Sequence, residues 1–211
     1  VTLAAGNVAA NTTLAVTNNN TGTNFDGTVG NNRTVFTGTN ALSSADRKLS
    51  YTGSAGSESI TGGTGNDTLN ATITGTGPTQ SATSLVGVEV LNVTASPNPA
   101  TLDLTGVAGL TEVNNVSSAN GATLSVTGLG KVVNTSITGG NTSTSIAYAT
   151  AAVASTTADA MTLSLKGTAA GSSFTTSGVE TLTINSGTSA NTLASLSAVG
   201  MTKLVITGDQ A

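Results

Sequence analysis

The residues of this chain best suited to chemistry are three glycines and one aspartate that lie within nine positions. The stretch reads GGTGNDTLN, in which Gly62, Gly63 and Gly65 precede Asp67 and Leu69 follows it. Glycine lets the backbone turn sharply and direct its carbonyl oxygens inward. Asp67 adds a hard anionic oxygen of the kind that Ca²⁺ prefers. The spacing therefore predicts a calcium-binding turn, after which Leu69 starts a short strand with its side chain in the core.

An altered copy of this pattern comes directly before it. Residues 53–61 read GSAGSESIT in the same register, with Glu58 at the position of Asp67 and Ile60 at the position of Leu69. A glutamate carboxylate is also a hard oxygen ligand. Glu58 is therefore a second, weaker candidate for a metal ligand.

The two copies resemble the calcium-binding nonapeptide G-G-x-G-x-D-x-U-x of the repeats-in-toxin family, in which U is a large aliphatic residue. Residues 62–70 match it at every fixed position, and the resemblance extends over residues 53–70. Many proteobacterial surface-layer proteins exported by type I secretion carry such repeats. The rest of this chain, rich in Thr, Ala, Gly and Asn, is similar in style to their β regions. The resemblance implies a secreted, extracellular protein at the cell surface of a Gram-negative bacterium.

The resemblance also implies how a calcium site would be built. In that family one repeat supplies half of the site, and a repeat about two nonapeptides away, stacked above or below, supplies the other half. The glycines would form the turn, and Asp67 would be the side-chain ligand. This chain departs from the pattern eighteen residues on either side of Asp67, where Leu49 and Leu85 cannot bind a metal. Water, backbone carbonyls, a symmetry-related chain or a distant acid would have to complete the site; the alternative is a glycine turn without a cation.

The composition favours a repetitive β structure over disorder. Charged residues make up 8% of the chain, against about 25% in ordinary globular proteins. Disordered chains combine low hydrophobicity with high net charge, whereas here the mean hydropathy is +0.16 and the net charge −4. Six basic residues and a pI near 4.4 argue against nucleic-acid binding. No apolar run approaches the ~18 residues of a membrane span.

Aliphatic residues recur at an interval that is typical of stacked strands. Leu91, Leu102, Val113 and Leu124 are each eleven residues apart. A rung of about 22 residues with two strands would produce this spacing, so we predict an all-β fold, a parallel β-solenoid of the β-roll or β-helix kind. A β-sandwich is the alternative, because its strands also return every 8–12 residues, but this chain lacks the aromatic residues of a wide core. The residues predicted to point inward are Leu91, Leu102, Val113, Leu124, Leu182 and Leu204.

The chain divides into two predicted parts. Residues 1–52 are a β-rich segment with weaker periodicity, and residues 53–211 form the solenoid. At about 22 residues a rung and ~4.8 Å between strands, the solenoid would have roughly seven rungs. The register breaks near residues 139–160, where we expect an insertion with a helical turn at Ala149–Ala154. Because the chain opens with Val1 and stops just after a strand, we expect it to be a segment of a longer protein.

This sequence contains few residues that are suited to catalysis. The chain contains no His and no Cys, and its only arginines are Arg33 and Arg47. Serines are plentiful, but no partner base stands out that could activate one. The remaining single acids, such as Asp103 and Asp159, fit Asx turns or strand faces better than metal ligation. We expect no enzyme activity.

Together these features predict a structural segment of a calcium-stabilised bacterial surface layer. Copies of the protein would assemble into a two-dimensional lattice, with a cell-surface polysaccharide or other glycan as a possible anchor. The alternative is a spacer or passenger segment of a secreted adhesin with the same type of repeat, which would bind a glycan or receptor through its loops. Neither function involves nucleic acid or a membrane span.

Overall fold

The structure is a computed structural model, and its strands are short, regular and numerous. The residues that it describes are 3–4, 13–17, 35–37, 47–53, 59–61, 66–73, 80–81, 84–95, 99–154, 158–187 and 189–210. In chain order the first strands are β1 (Leu3–Ala4), β2 (Thr13–Thr17), β3 (Val35–Thr37), β4 (Arg47–Gly53), β5 (Ser59–Thr61), β6 (Asp67–Ile73), β7 (Gln80–Ser81) and β8 (Ser84–Val86). They are followed by β9 (Val90–Ala95), β10 (Ala100–Asp103), β11 (Glu112–Val116), β12 (Thr123–Leu129), β13 (Thr135–Thr138), β14 (Ser143–Tyr148), α1 (Thr150–Val153), β15 (Ala160–Lys166), β16 (Ser173–Ser177), β17 (Thr181–Gly187), β18 (Ser195–Val199) and β19 (Lys203–Gly208).

These strands stack in three sheets, in which every described pair is parallel. The longest sheet has nine strands in the order β19-β17-β15-β13-β11-β9-β6-β4-β2. A six-stranded sheet runs β18-β16-β14-β12-β10-β7, and a four-stranded sheet runs β1-β3-β5-β8. The chain visits another sheet between neighbours in one sheet, so it winds as a parallel β-solenoid of about six turns with rungs of about 22 residues. The predicted fold class is confirmed. The alternative, a β-sandwich, is wrong, because the sheets of such a sandwich are antiparallel.

The eleven-residue interval in the sequence separates a strand of the nine-stranded sheet from the next strand of the six-stranded sheet. Leu91 and Val113 lie in β9 and β11 of the nine-stranded sheet, whereas Leu102 and Leu124 lie in β10 and β12 of the six-stranded sheet. All four are buried, as is Leu182 in β17. Inner positions alternate with outer polar positions, which is the period of a strand with one buried face. Each buried leucine stabilises the fold by about 1.5–3 kcal/mol relative to an exposed one, so a narrow aliphatic ladder forms the core.

Leu204, which was also predicted to point inward, is not buried. Leu204 is 43% exposed, and its neighbours at the same end, Val199 and Ile206, are 70% and 71% exposed. Leu204 pairs with buried Leu182 and has the same place in the alternation. It is exposed because β19 is an outer strand of its sheet, and no described strand stacks on its other side.

The rung between β13 and β15 is longer than the usual 22 residues. Most ladder neighbours are 22 residues apart, but Asn134 and Thr162 on adjacent rungs are 28 apart. Residues 143–148 are a regular strand, and the extra length follows it and contains α1, where the sequence predicted a helical turn. Gly178 lies against this segment with a positive φ of 78°, and a Cβ there would come 2.6 Å from Val153. Glycine thus lets the added segment pack closely against the solenoid.

Asparagines form a hydrogen-bonded ladder along the outer face of the nine-stranded sheet. The Nδ2 group of Asn92 donates to Oδ1 of Asn70 at 2.8 Å, and Nδ2 of Asn114 donates to Oδ1 of Asn92 at 2.9 Å. The ladder ends where Oδ1 of Asn114 accepts both the amide and the hydroxyl of Ser136. A parallel, in-register stack makes this possible, because identical side chains recur beside one another on successive rungs.

One asparagine points inward instead. Asn115 is 1% exposed, and its Nδ2 group donates to the hydroxyl of Thr144 at 2.7 Å and that of Thr142 at 3.3 Å. Its Oδ1 accepts the hydroxyl of Ser118, whose oxygen in turn accepts the amide of Ala95. The amide group therefore links the two large sheets through the core. Such a network stabilises a fold only while every member has a partner.

We expect Asn115→Ala to lower the free energy of unfolding by about 1–3 kcal/mol, since it leaves buried hydroxyl partners unsatisfied. Urea denaturation of the variant beside the parent protein measures this. Asn185→Ala is the matched control, because Asn185 is exposed on β17 and its loss should change stability little. Equal losses in the two variants would contradict the structural role of the inward asparagine.

Candidate metal centre

The structure describes only part of the predicted calcium turn. Asp67 is the first residue of β6, whereas Gly62, Gly63, Gly65 and Glu58 lie outside the described residues. Two residues after Asp67, the aliphatic position of the nonapeptide is 4% exposed and belongs to the core. The strand that the sequence predicts from Leu69 is present, but it begins two residues earlier, at Asp67.

The neighbours of Asp67 are set by the rung and not by the nonapeptide. In the parallel ladder Asp67 pairs with Arg47 of β4, and on the next rung Val90 pairs with the residue after Asp67. Glu89, directly before Val90, therefore comes beside Asp67 on that side. Leu85 lies elsewhere, paired with Ile60 in the four-stranded sheet. In the backbone stack the neighbours of Asp67 are thus a basic residue, Arg47, on one side and an acidic residue, Glu89, on the other.

The other acids separate into turn residues and one unusual pair. Among the described residues, no three Asp, Glu, His or Cys side chains come together as a group that could hold a metal ion. Asp103 forms an Asx turn, with its Oδ1 accepting the amide of Thr105 at 2.9 Å and its hydroxyl at 2.6 Å. These hydrogen bonds, the hydroxyl first, lower the pKa of Asp103. Asp103 is therefore a turn residue, as its sequence context indicates.

Asp159 differs from Asp103 because one of its oxygens is left without a partner. Oδ2 of Asp159 is buried and accepts no hydrogen bond. The amide of Asp159 donates to Oε2 of Glu180 at 2.7 Å, so a second carboxylate lies beside it on the following rung. Sequence reasoning treated Asp159 as an ordinary turn residue. The sequence did contain a signal of this contact, because the two acids are separated by about the length of one rung.

A tyrosine fills the same corner between the sheets. The hydroxyl of Tyr148, at the end of β14, donates to the carbonyl oxygen of Val133 at 3.3 Å and lies 3.7 Å from Sδ of Met161. Burial raises the pKa of Tyr148 to about 12 from an ordinary value of 10.0, and the nearby charge of Asp159 adds to the rise. The corner therefore favours the neutral phenol.

A shallow cleft lies on the outer face of β11, β13 and β15. Its volume is about 190 Å³. The ladder asparagine Asn114 lines it, with an acid, Glu112, and a base, Lys166. The other lining residues are polar or small, and none of them is aromatic. The cleft can offer hydrogen bonds and charge to a polar ligand but no stacking surface.

Comparison with known proteins adds no relative to this description. No family model, no curated protein and no solved structure matches the chain. Within the described part of the chain, no helix is long and apolar enough to cross a membrane. The class to which the chain belongs is therefore defined by its fold, the parallel β-solenoid.

Tyr148 makes stability depend on alkaline pH. Because its pKa is higher in the folded state, its contribution is fully present below pH 10 and is lost as the pH rises to about 12. The loss is at most about 2–3 kcal/mol. Denaturation curves measured across this interval should show a steeper fall for the parent protein than for Tyr148→Phe. Equal falls in both proteins would contradict a buried, neutral phenol.

Proposed function

We propose that this chain is a structural segment of a calcium-stabilised bacterial surface layer. The observation that carries the proposal is the nine-stranded parallel sheet, which runs along the solenoid in one register. At ~4.8 Å per strand it spans roughly 40 Å. Such a sheet is a stiff spacer, because its strands are joined by continuous backbone hydrogen bonds and packed on a narrow aliphatic core. Among the described residues no cluster suited to catalysis competes with this role.

Calcium is proposed from the nonapeptide, with Asp67 as the side-chain ligand. The motif supplies the turn residues and one carboxylate, and the next rung pairs Thr68 with Val90, so Glu89 follows Asp67 in the backbone stack and would be a second acid available to the site. Arg47 pairs with Asp67 on the other side, and a base at that position would oppose a cation, so we expect weak binding, on the order of 10⁻⁴–10⁻³ M, as in extracellular modules. At millimolar Ca²⁺ such a site is occupied and stabilises the folded form by mass action. The chain is accordingly proposed to act outside the cell.

Two variants test the calcium site. Asp67→Ala removes the carboxylate and should reduce the rise in melting temperature that millimolar Ca²⁺ produces in the parent protein, whereas Asp26→Ala, which changes an acid outside the motif, should matter less. Arg47→Gln should increase the rise, because it removes the competing charge. The measurement is thermal unfolding with Ca²⁺ and with a chelator. If Asp67→Ala gained as much as the parent, the nonapeptide would be a turn without a cation.

Self-assembly separates the surface-layer proposal from its alternative. We expect the full-length protein to form ordered two-dimensional sheets when Ca²⁺ is added and to lose them when it is chelated, as seen by negative-stain electron microscopy. An adhesin segment of the same type would stay monomeric under both conditions. The polar cleft at Asn114 favours this second candidate, since it could contact a glycan. A monomer that binds cell-surface polysaccharide, with the binding weakened by Lys166→Ala, would replace the lattice proposal.

A further inference from the structure

We propose that the cleft on the outer face of β11, β13 and β15 binds an acidic glycan, one whose sugars carry carboxylate groups as uronic acids do. The cleft is a notch in the asparagine ladder of the nine-stranded sheet, with an acid at one corner and a base at the other. This inference deepens the glycan contact of the second candidate function and rests on that contact. It depends neither on calcium nor on self-assembly.

The notch exists because two serines interrupt a row of asparagines on the outer face. Asn92 pairs with Asn114 in this row, and Oδ1 of Asn114 accepts the hydroxyl of Ser136. Ser164 pairs with Ser136, and Asn185 pairs with Ser164 on the rung after that. A serine side chain is shorter than an asparagine side chain, so the surface is recessed over two rungs, ~10 Å along the stack. A ligand can hydrogen-bond where the carboxamides of the ladder are missing.

The polar groups of the cleft are held in place by hydrogen bonds. Asn114 and Ser136 are each 7% exposed, although both belong to the outer face. Oδ1 of Asn114 accepts the amide of Ser136 at 2.8 Å and its hydroxyl at 2.9 Å. Asn134, which also lines the cleft, is fixed in a similar way, because its Oδ1 accepts the amide of Thr162 at 2.9 Å. The hydroxyl groups of a sugar therefore meet a preorganised set of donors and acceptors.

The two charged residues lie at opposite corners of the cleft. Glu112 begins β11 and Lys166 ends β15, so two strand spacings, ~10 Å, and four positions along a strand, ~13 Å, separate their backbones. Oε2 of Glu112 accepts Nδ2 of Asn114 at 3.4 Å. The neighbours of Lys166 in its row, Thr138 and Gly187, carry no charge. The Lys166 ammonium group thus has no opposite charge in its row, and a carboxylate on the ligand would supply one.

The size and lining of the cleft fit a saccharide better than an apolar peptide. All its lining residues are polar or charged, and its volume of about 190 Å³ equals the share of roughly six water molecules in liquid water. An apolar side chain gains free energy only from apolar burial, which this cleft does not offer. A sugar presents hydroxyls in several directions. A short chain of sugars can extend from the Glu112 corner, which accepts hydroxyls, to the Lys166 corner, which attracts a carboxylate.

Binding of a tetramer of galacturonic acid tests the ligand class, with the fully methyl-esterified tetramer as the uncharged comparison. Nuclear magnetic resonance titration of the isotope-labelled protein measures both affinities and shows which residues respond. A chelator is present throughout, so that Ca²⁺ cannot bridge the acidic sugar to the protein. We expect the acidic tetramer to shift the signals of the cleft residues and to bind about fivefold more tightly than the ester, the upper value for an exposed charge pair.

Two variants locate the site. Ser164→Asn restores the missing carboxamide, fills the notch and should abolish binding, whereas Lys166→Gln should reduce the affinity for the acidic tetramer to that for the ester. Ser125→Asn, on the outer face of the six-stranded sheet, and Lys131→Gln, at an exposed bend before β13, are the matched controls and should bind as the parent does. Circular dichroism establishes that each variant is folded. Lys166 is exposed, so Lys166→Gln keeps the test decisive if Ser164→Asn does not fold.

Three results would overturn the proposal. Equal affinities for the two tetramers would mean that the cleft does not recognise the carboxylate. A folded Ser164→Asn protein that binds as the parent does would place the sugar elsewhere on the molecule. An absence of binding to the parent protein would mean that the cleft holds only water. The calcium response and the ordered sheets are measured without sugar, so the glycan site and the surface-layer proposal can each fail alone.

Discussion

The parallel, in-register backbone ladder is the constraint on which the rest of this structure depends. Each strand hydrogen-bonds to the equivalent strand of the turns before and after it, at a spacing of ~4.8 Å. A residue is therefore stacked directly on its counterpart one rung away, and its neighbours are decided by rung length. The core, the polar ladders and the charged positions all follow from this geometry. A change of one residue in the register would turn every inner side chain outward.

The same stacking explains why the chain has so few charges. Like charges repeated on successive rungs would face each other and destabilise the sheet, whereas amides and hydroxyls can donate to one neighbour and accept from the other. Asn70, Asn92 and Asn114 do this along the outer face. Where two acids do fall one rung apart, at Asp159 and Glu180, the Glu180 carboxylate accepts the backbone amide of Asp159.

The thin core makes the fold sensitive to defects among its buried residues. The rungs enclose mostly Leu, Val and Ile, so each buried residue touches neighbours on the rungs on either side, and a defect affects several turns. Asn115 is an exception within this core, since its amide joins hydroxyls from the opposite sheet. An inward amide fixes the register of its rung, because only one alignment satisfies its donors and acceptors. Stiffness and specific register are the properties that a spacer or lattice element requires.

Composition and spacing predicted the class of fold, with a β-sandwich left as the alternative until the parallel strand pairing excluded it. The eleven-residue interval of Leu91, Leu102, Val113 and Leu124 reflects half a rung, and a periodic pattern of this kind survives without knowledge of tertiary contacts. The side of each strand that is buried also followed from alternation, except at Leu204, where burial depends on whether another strand covers it. Local periodicity cannot report that, since it describes one strand and not its neighbours.

The candidate sites depended far more on tertiary structure. The nonapeptide predicted Asp67 as a ligand, and counting two nonapeptides led to Leu49 and Leu85, whereas the rung of about 22 residues puts Arg47 and Glu89 next to it in the backbone stack. The amide of Asp159 likewise meets the carboxylate of Glu180, 21 residues away, although no motif joins the two. Sequence determined which residues could bind a cation, because ligand chemistry belongs to side chains. Only the winding of the solenoid decided which of them meet, because proximity across rungs is set by the length of each turn.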